Sequence, residues 1–197
     1  MLGKGRPLSL KKIKLLAATD ISYRSGRAYA VVAVFSFPEL ELVEVKRAEC
    51  KITYPYVPGL LTFREAPCLI KAFSKIKSDP DIIIFDGQGQ AHPRKMGVAA
   101  HMGIILDKPS IGCGKSRLVG SFREPGRKKS AFSQLYHNSE VIGAVLRSRG
   151  GVKPLFISPG YKIDLNSSII IVLSCCRGFR IPEPIRFVDT ESKRTAE

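Results

Sequence analysis

Residues 81–86 read Asp-Ile-Ile-Ile-Phe-Asp. Such an unbroken apolar run between two carboxylates leaves no polar face for water. It reads as a strand buried on both sides, so the chain must supply layers that cover both faces of a sheet. The next residues, "GQGQAHPRKMG" (87–97), follow the Asp86 carboxylate with closely spaced glycines, His92 and two cations, Arg94 and Lys95. An acid at a strand end, a tight turn and positive charge are thereby concentrated in one place.

The flanking pattern says what kind of sheet this is. Residues 13–20 ("IKLLAATD"), 28–36 ("AYAVVAVFS") and 41–53 read as three strands with short links, an antiparallel meander. "YPYVPG" (54–59) is rigid turn material, because its prolines fix φ and Gly59 tolerates a positive value. The spacing predicts a helix over 62–77, with Thr62 and Glu65 as a capping box and Pro67 in the first turn. Then come a strand at 81–86, a helix at 93–106 opened by Pro93, and a short strand at 109–114. Residues 120–138 are basic and read as an inserted loop or arm. Strands follow at 140–147 and 155–157, and a last helix at 164–177 stops at Gly178. Pro182 and Pro184 open a polar tail. A meander followed by α-β-α-β is a mixed α/β sheet flanked by helices, with parallel pairing in its second half and a site at the C-terminal strand ends. The length of 197 residues fits one domain, with 1–12 and 187–197 as expected flexible tails.

Charge narrows the partner. Thirty-two Lys and Arg against 17 Asp and Glu give +15, which points to a polyanion, nucleic acid before an anionic membrane. No stretch reaches the ~18–20 apolar residues of a membrane span. The apolar run 169–173 fits a core helix. The N-terminus lacks a signal-peptide pattern, so an intracellular (cytoplasmic) location is expected. The five cysteines show no CxxC pair and read as reduced, mostly buried thiols.

Asp20 ends the first strand, Asp86 ends the fourth, and Glu65 opens the helix between them. If the two strands are neighbours, their backbones lie ~4.8 Å apart, and the two carboxylates can share a Mg²⁺ with Glu65 as a third ligand. Such clusters suit phosphodiester hydrolysis. Singly, each acid also reads as a turn or capping residue. "PSIGCGKS" (109–116) imitates a P-loop but has Pro109 where the motif needs Gly. "GQGQAH" (87–92) imitates a dinucleotide fingerprint but ends in His92. Both remain Gly-rich turns at strand ends, and Lys115 then stands beside the acids.

Several stretches carry a resemblance: "AATDISY" (17–23), "YPYVPGLLTFREAP" (54–67), "IFDGQGQAHPRKMGVAAHMG" (84–103), "KPSIGCGKSRLVG" (108–120), "SPGYKI" (158–163) and "CRGFRIPEPIR" (176–186). In them the chain resembles the endonuclease V family, deoxyinosine-directed repair nucleases with an RNase H-like fold. The resemblance implies that Asp20, Glu65 and Asp86 serve Mg²⁺ or Mn²⁺, that Lys115 is the catalytic lysine, and that His92 stands at the active site. Pro55, Tyr56, Val57 and Pro58 match a wedge that fills the hole left by a flipped base. Gly59, Leu61, Gly87 and Val98 match the pocket for the flipped hypoxanthine, although Leu61 and Val98 also suit core packing. Arg94, Lys95, Ser116 and Arg117 are candidate backbone contacts, and Arg123, Arg127, Lys128 and Lys129 join them in the basic stretch.

The implied reaction is hydrolysis of the second phosphodiester bond 3′ to deoxyinosine, leaving 3′-hydroxyl and 5′-phosphate ends, by a monomer on DNA. An inosine-specific endoribonuclease acting on single-stranded RNA is the alternative, since some relatives take that substrate. A non-catalytic nucleic-acid-binding module would be expected to have lost part of the acid set. One departure stands out. Tyr161 follows "SPG" where the family commonly has a histidine near the metal, and a phenol with its ordinary pKa of ≈ 10 is a poor ligand for Mg²⁺.

Overall fold

The computed structural model describes residues 5–196, without the side chain of the last. Its centre is an eight-stranded mixed sheet in the order β3-β2-β1-β4-β5-β8-β7-β6. The meander is β1 (Leu15–Arg24), β2 (Arg27–Ser36) and β3 (Leu42–Lys51), antiparallel throughout. β4 (Ile82–Phe85) lies parallel to β1, and β5 (Ser110–Gly114) parallel to β4. β6 (Phe132–His137), β7 (Glu140–Leu146) and β8 (Leu155–Tyr161) return antiparallel.

The two-sided apolar run of β4 is covered as its composition demands. One face packs with α3 (Leu165–Ser174) and α4 (Glu183–Ala196) around Leu16, Ile82, Ile84 and Ile171. The other packs with α1 (Leu61–Phe73) and α2 (Val98–Leu106) around Val32, Leu69, Ile83 and Met102. Asp81 sets the register, because its Oδ2 accepts from the Lys14 and Leu15 amides at 2.8 and 3.0 Å and so ties the start of β1 to β4. All five cysteines are free, and four of them are buried. No helix among the described residues is long and apolar enough to cross a membrane.

Several boundaries differ from the sequence reading. The largest difference is the supposed tail, which is the helix α4. Ile185, Val188 and Ser192 are fully buried at i, i+3, i+7, a helical stripe that prolines at the entrance conceal. Pro184 falls in the first turn, where no N–H is required. Residue 197 lies outside the described residues. At the other end, residues 1–4 lie outside them too, while the Arg6 carbonyl accepts from the Asp164 amide and the Leu8 amide donates to Ser167 Oγ. The frayed start expected over 1–12 is thus tied to α3 from Arg6 onward.

The basic stretch 120–138 is no simple arm. Its second half is the edge strand β6, anchored by buried Leu135. The Thr62–Glu65 capping box does not form. The N-cap is Leu60 without a side-chain bond, and Pro67 lies in the interior of α1 with its ring exposed. Packing on β2 and β3 overrides a proline that alone costs ~3 kcal/mol. The second helix begins at Val98 and not at Pro93, because residues 93–97 are spent on the turn that shapes the site.

Candidate active site

The register of β1 with β4 places Thr19 beside Phe85, so Asp20 and Asp86 stand together just past the last paired residues of the two strands. Only β4 ends there, because β1 does not stop at Asp20 as expected but runs on to Arg24, paired with β2. One oxygen from each of Asp20, Asp86 and Asp189 lies within 4.8 Å of the others. Asp189 comes from α4. It escaped the sequence reading because its helix was taken for a tail, although the apolar spacing of Ile185 and Val188 signals that helix. Lys115, one residue past β5, bridges two members of the trio, with Nζ 2.5 Å from Asp86 Oδ2 and 2.9 Å from Asp189 Oδ1. Burial and the neighbouring carboxylates push Asp20 up from the ordinary carboxylate range, and burial pushes Asp86 up against the opposing pull of Lys115.

Glu65 stands beside the trio and not within its 4.8 Å limit. Tyr23 on β1 donates to its Oε1 at 2.8 Å, and the Arg64 guanidinium lies 4.8 Å from the Tyr23 ring centre. A gap of about 20 Å³ separates Glu65 from Asp20 and Asp86, roughly the room one water needs. Burial, with Asp20 and Asp86 nearby, raises Glu65 to about 7. A carboxyl raised in the fold holds its proton more tightly there than in the unfolded chain, so the stability it contributes below its unfolded value is lost as pH rises through about 7. Without metal, the melting temperature should therefore fall between pH 5.5 and 8 in a calorimetric series. Glu65→Gln should flatten that slope.

Hard carboxylate oxygens gathered at this spacing fit a divalent cation such as Mg²⁺ or Mn²⁺. The trio is also held by hydrogen bonds. Ser192 on α4 donates to Asp20 Oδ2 at 2.6 Å, and the Ser22 hydroxyl donates to the Ser192 carbonyl at 2.6 Å. Ser192→Ala leaves Asp20 buried without its donor, and a bond to a charged group contributes ~1.5–3 kcal/mol. The expected result is a roughly tenfold weaker Mn²⁺ affinity by calorimetric titration, with Ser192→Thr recovering most of it.

Beside the acids lies a cavity of about 290 Å³, lined by Tyr56, Gly59, Leu61, Gly87, His92 and Val98, with Ser116 and Arg117 across from them. Its floor depends on glycines. A Cβ on Gly87 would stand 2.6 Å from Val98 Cγ1, and one on Gly112 would stand 2.2 Å from the Gly89 amide nitrogen. Gly59 has φ +78°, the left-handed region, and closes the 55–59 turn. That turn carries Tyr56 at its tip, 66% exposed, with Pro55 and Pro58 exposed beside it and Val57 half-buried.

His92 is part of the pocket wall. Its Nδ1 accepts from the Arg94 amide at 3.2 Å, its ring also bonds the Gly59 backbone, and burial followed by the Arg94 charge lowers its pKa. Arg94 donates to the Gly59 carbonyl at 3.3 Å. Both residues therefore hold the 55–59 turn in place. Lys95 is paired with Glu140 and turned away from that task.

Tyr161 does not stand near the acids. It pairs with Ser110 at the start of β5, whereas Lys115 follows that strand's other end, and its hydroxyl donates to Asp107 at 3.2 Å. The expected change in a metal contact at this position is thereby corrected. The antiparallel return of β8 sends its C-terminus to the opposite end of the strands from Lys115.

Fold and site together define an α/β protein of the RNase H-like class with an acid-and-lysine centre beside a glycine-floored pocket. The comparisons agree. A profile of the family described as Endonuclease V matches residues 4–190. An endonuclease V of Methanothrix thermoacetophila is 45% identical over 196 residues, which cover 100% of this chain and 87% of the relative. The crystal structure of the Bacillus subtilis endonuclease V superimposes with a TM-score of 0.94 at 33% identity, covering 98% of this chain and 85% of that one. A Ciona intestinalis endonuclease V, solved with a 23mer DNA containing an inosine followed by a ribo-adenosine, gives 0.87 at 27% identity, covering 99% of this chain and 90% of that one. The chain belongs to the Endonuclease V family.

Proposed function

We propose that this protein is a DNA repair endonuclease that recognises deoxyinosine and hydrolyses the second phosphodiester bond on its 3′ side, with Mg²⁺ at the acid trio. The observation that carries the reading is the adjacency of the two sites: Asp86 and Lys115 line the same cavity as Gly59, Gly87 and Val98. A base held in that cavity leaves its downstream backbone beside the acids. The Ciona relative's complex with inosine-containing DNA supports the choice of base.

The chain's own groups divide the work. Tyr56, carried on a proline-stiffened turn, fills the stack that the flipped base vacates, at low entropic cost. Gly59 and Gly87 bring backbone against the base edge and leave no room for the exocyclic amine that distinguishes guanine from hypoxanthine. Asp20, Asp86 and Asp189 would hold the cation, which when bound neutralises the phosphate and favours hydroxide over water. Lys115 is kept protonated by its two carboxylates and presents positive charge to the phosphate. Glu65, raised to about 7, can accept a proton from water in the adjoining gap. The +15 charge binds the backbone, so affinity falls steeply with salt.

End-labelled duplex DNA with one central deoxyinosine tests this. Mg²⁺ should produce a nick one bond beyond the 3′ neighbour, and EDTA should abolish it. Equal cutting of the adenine control would remove the lesion reading. An inosine-directed ribonuclease is the second reading, favoured by the ribo-adenosine next to inosine in the Ciona complex. A matched RNA arm decides between the two.

A further inference from the structure

A second groove lies near the cavity. Arg117, on the cavity wall, places its guanidinium 5.9 Å from the Phe122 ring centre. Phe122 in turn lines a groove of about 580 Å³ with Arg123, Ser133, Gln134 and Tyr136. The groove lies at the β6 edge of the sheet, where Ser121 exchanges two backbone hydrogen bonds with Tyr136. Its chemistry is unusual for an edge. Tyr136 is 41% exposed, Phe122 is braced edge-on by Phe156 at 5.5 Å, and Arg123 is exposed with no acidic partner among the described residues. Arg127 and Lys128 are exposed on the same segment, likewise without one.

We propose that this groove is a second nucleic-acid subsite, which takes unpaired bases on the 5′ side of the inosine. The inference rests on the reading of the main cavity given above. The sheet order supplies the direction. The acids sit at β1 and β4, the cavity at β4 and β5, and the groove at β6, beyond β8 and β7. A strand whose 3′ phosphates lie at the acids leaves the cavity toward β6 on its 5′ side. Arg117, over the half-buried Phe122 ring, links the two sites, Tyr136 offers an exposed ring face to a base, and Arg123 meets a phosphate. Aromatic faces interleaved with guanidinium groups are how proteins hold single strands with little sequence preference. Charge complementarity selects this occupant over a protein segment, because the uncompensated charges along the edge are all positive.

The test is fluorescence anisotropy in EDTA, with single-stranded inosine oligonucleotides carrying either about six nucleotides or one on the 5′ side, at equal total length. Wild type should bind the 5′-extended oligonucleotide more tightly. Tyr136→Ala and Arg123→Ala should each lose about tenfold on it, the loss of roughly one stacked base or one phosphate contact, with no change on the 5′-truncated one. Tyr136→Phe, which keeps the ring face, should bind like wild type and so exclude misfolding as the cause. Unchanged affinity in the alanine variants, an equal loss on both oligonucleotides, or a preference for 3′ extension would overturn the subsite. An adenine-containing control separates the two readings. If wild type binds that control as tightly as the inosine strands, the lesion no longer sets the register and the inosine pocket falls, and the groove then stands only where the alanine variants lose about tenfold on the control itself.

Discussion

Asp20→Asn will lower the single-turnover nicking rate by on the order of 10³-fold or more, and it will do so in a protein that melts no earlier than wild type. The two halves share one cause. Asp20 is pushed up by burial and by the charges of Asp86 and Asp189, so at neutral pH its ionised form is held against the preference of its surroundings. An amide of the same shape keeps an acceptor for the Ser192 hydroxyl at 2.6 Å while it removes the crowded charge. Lost charge at a site of transition-state stabilisation appears as rate, and three decades correspond to about 4 kcal/mol. Relief of like-charge repulsion appears as stability, the usual exchange at a preorganised site. Rapid-quench assays at saturating Mg²⁺ and calorimetry in EDTA read the two separately. A variant within tenfold of wild type would mean that the trio is not the reactive centre. A melting temperature lower by several degrees would mean that Asp20 is a structural residue.

Gly112→Ala should be the most damaging single methyl in the chain. Gly112 is fully buried in the middle of β5, and the added Cβ would stand 2.2 Å from the Gly89 amide nitrogen and 2.8 Å from the Gly87 carbonyl oxygen. Both neighbours are backbone and cannot rotate away. The 87–89 turn is fixed from its other side as well, because Gly89 donates to Ser158 Oγ at 2.8 Å and a Cβ there would meet the Pro159 carbonyl. The turn must therefore move outward, carrying Gly87 into the cavity and Asp86 off the trio. A loss of roughly 3 kcal/mol or more by denaturant titration, together with loss of nicking, is expected. Nicking retained at normal stability would mean that the turn is not needed in the position seen.

These two positions differ in how far they could be read beforehand. Asp20 and Asp86 were legible as carboxylates closing the apolar runs "LLAATD" and "IIIFD", although β1 continues past Asp20 to Arg24, and it was the pairing of β1 with β4 in the finished sheet that made them neighbours. The meander was legible for the same reason: short apolar runs joined by tight turns have few alternatives. Gly112 carried no such signal. Its necessity depends on Gly89, far away in sequence, lying across it. Asp189 was hidden for another reason. Its helix begins behind two prolines in a polar stretch, and only the burial of Ile185, Val188 and Ser192 against β1 and β2 turns that stretch into a wall of the site.

By itself, then, the sequence determined the order of elements from the meander to β5, the two-sided burial of β4, the carboxylates Asp20 and Asp86 and the excess of positive charge. Each follows from local periodicity or composition, which act over a few residues. Tertiary structure alone decided that α4 brings a third carboxylate and a serine donor to Asp20, that Glu65 bonds to Tyr23 instead of capping its helix, and that His92 braces the 55–59 turn. It also decided that Tyr161 lies at the far end of the strands from the acids. Those outcomes depend on which distant segments share a surface, and burial and electrostatic complementarity settle that only once the whole sheet has closed.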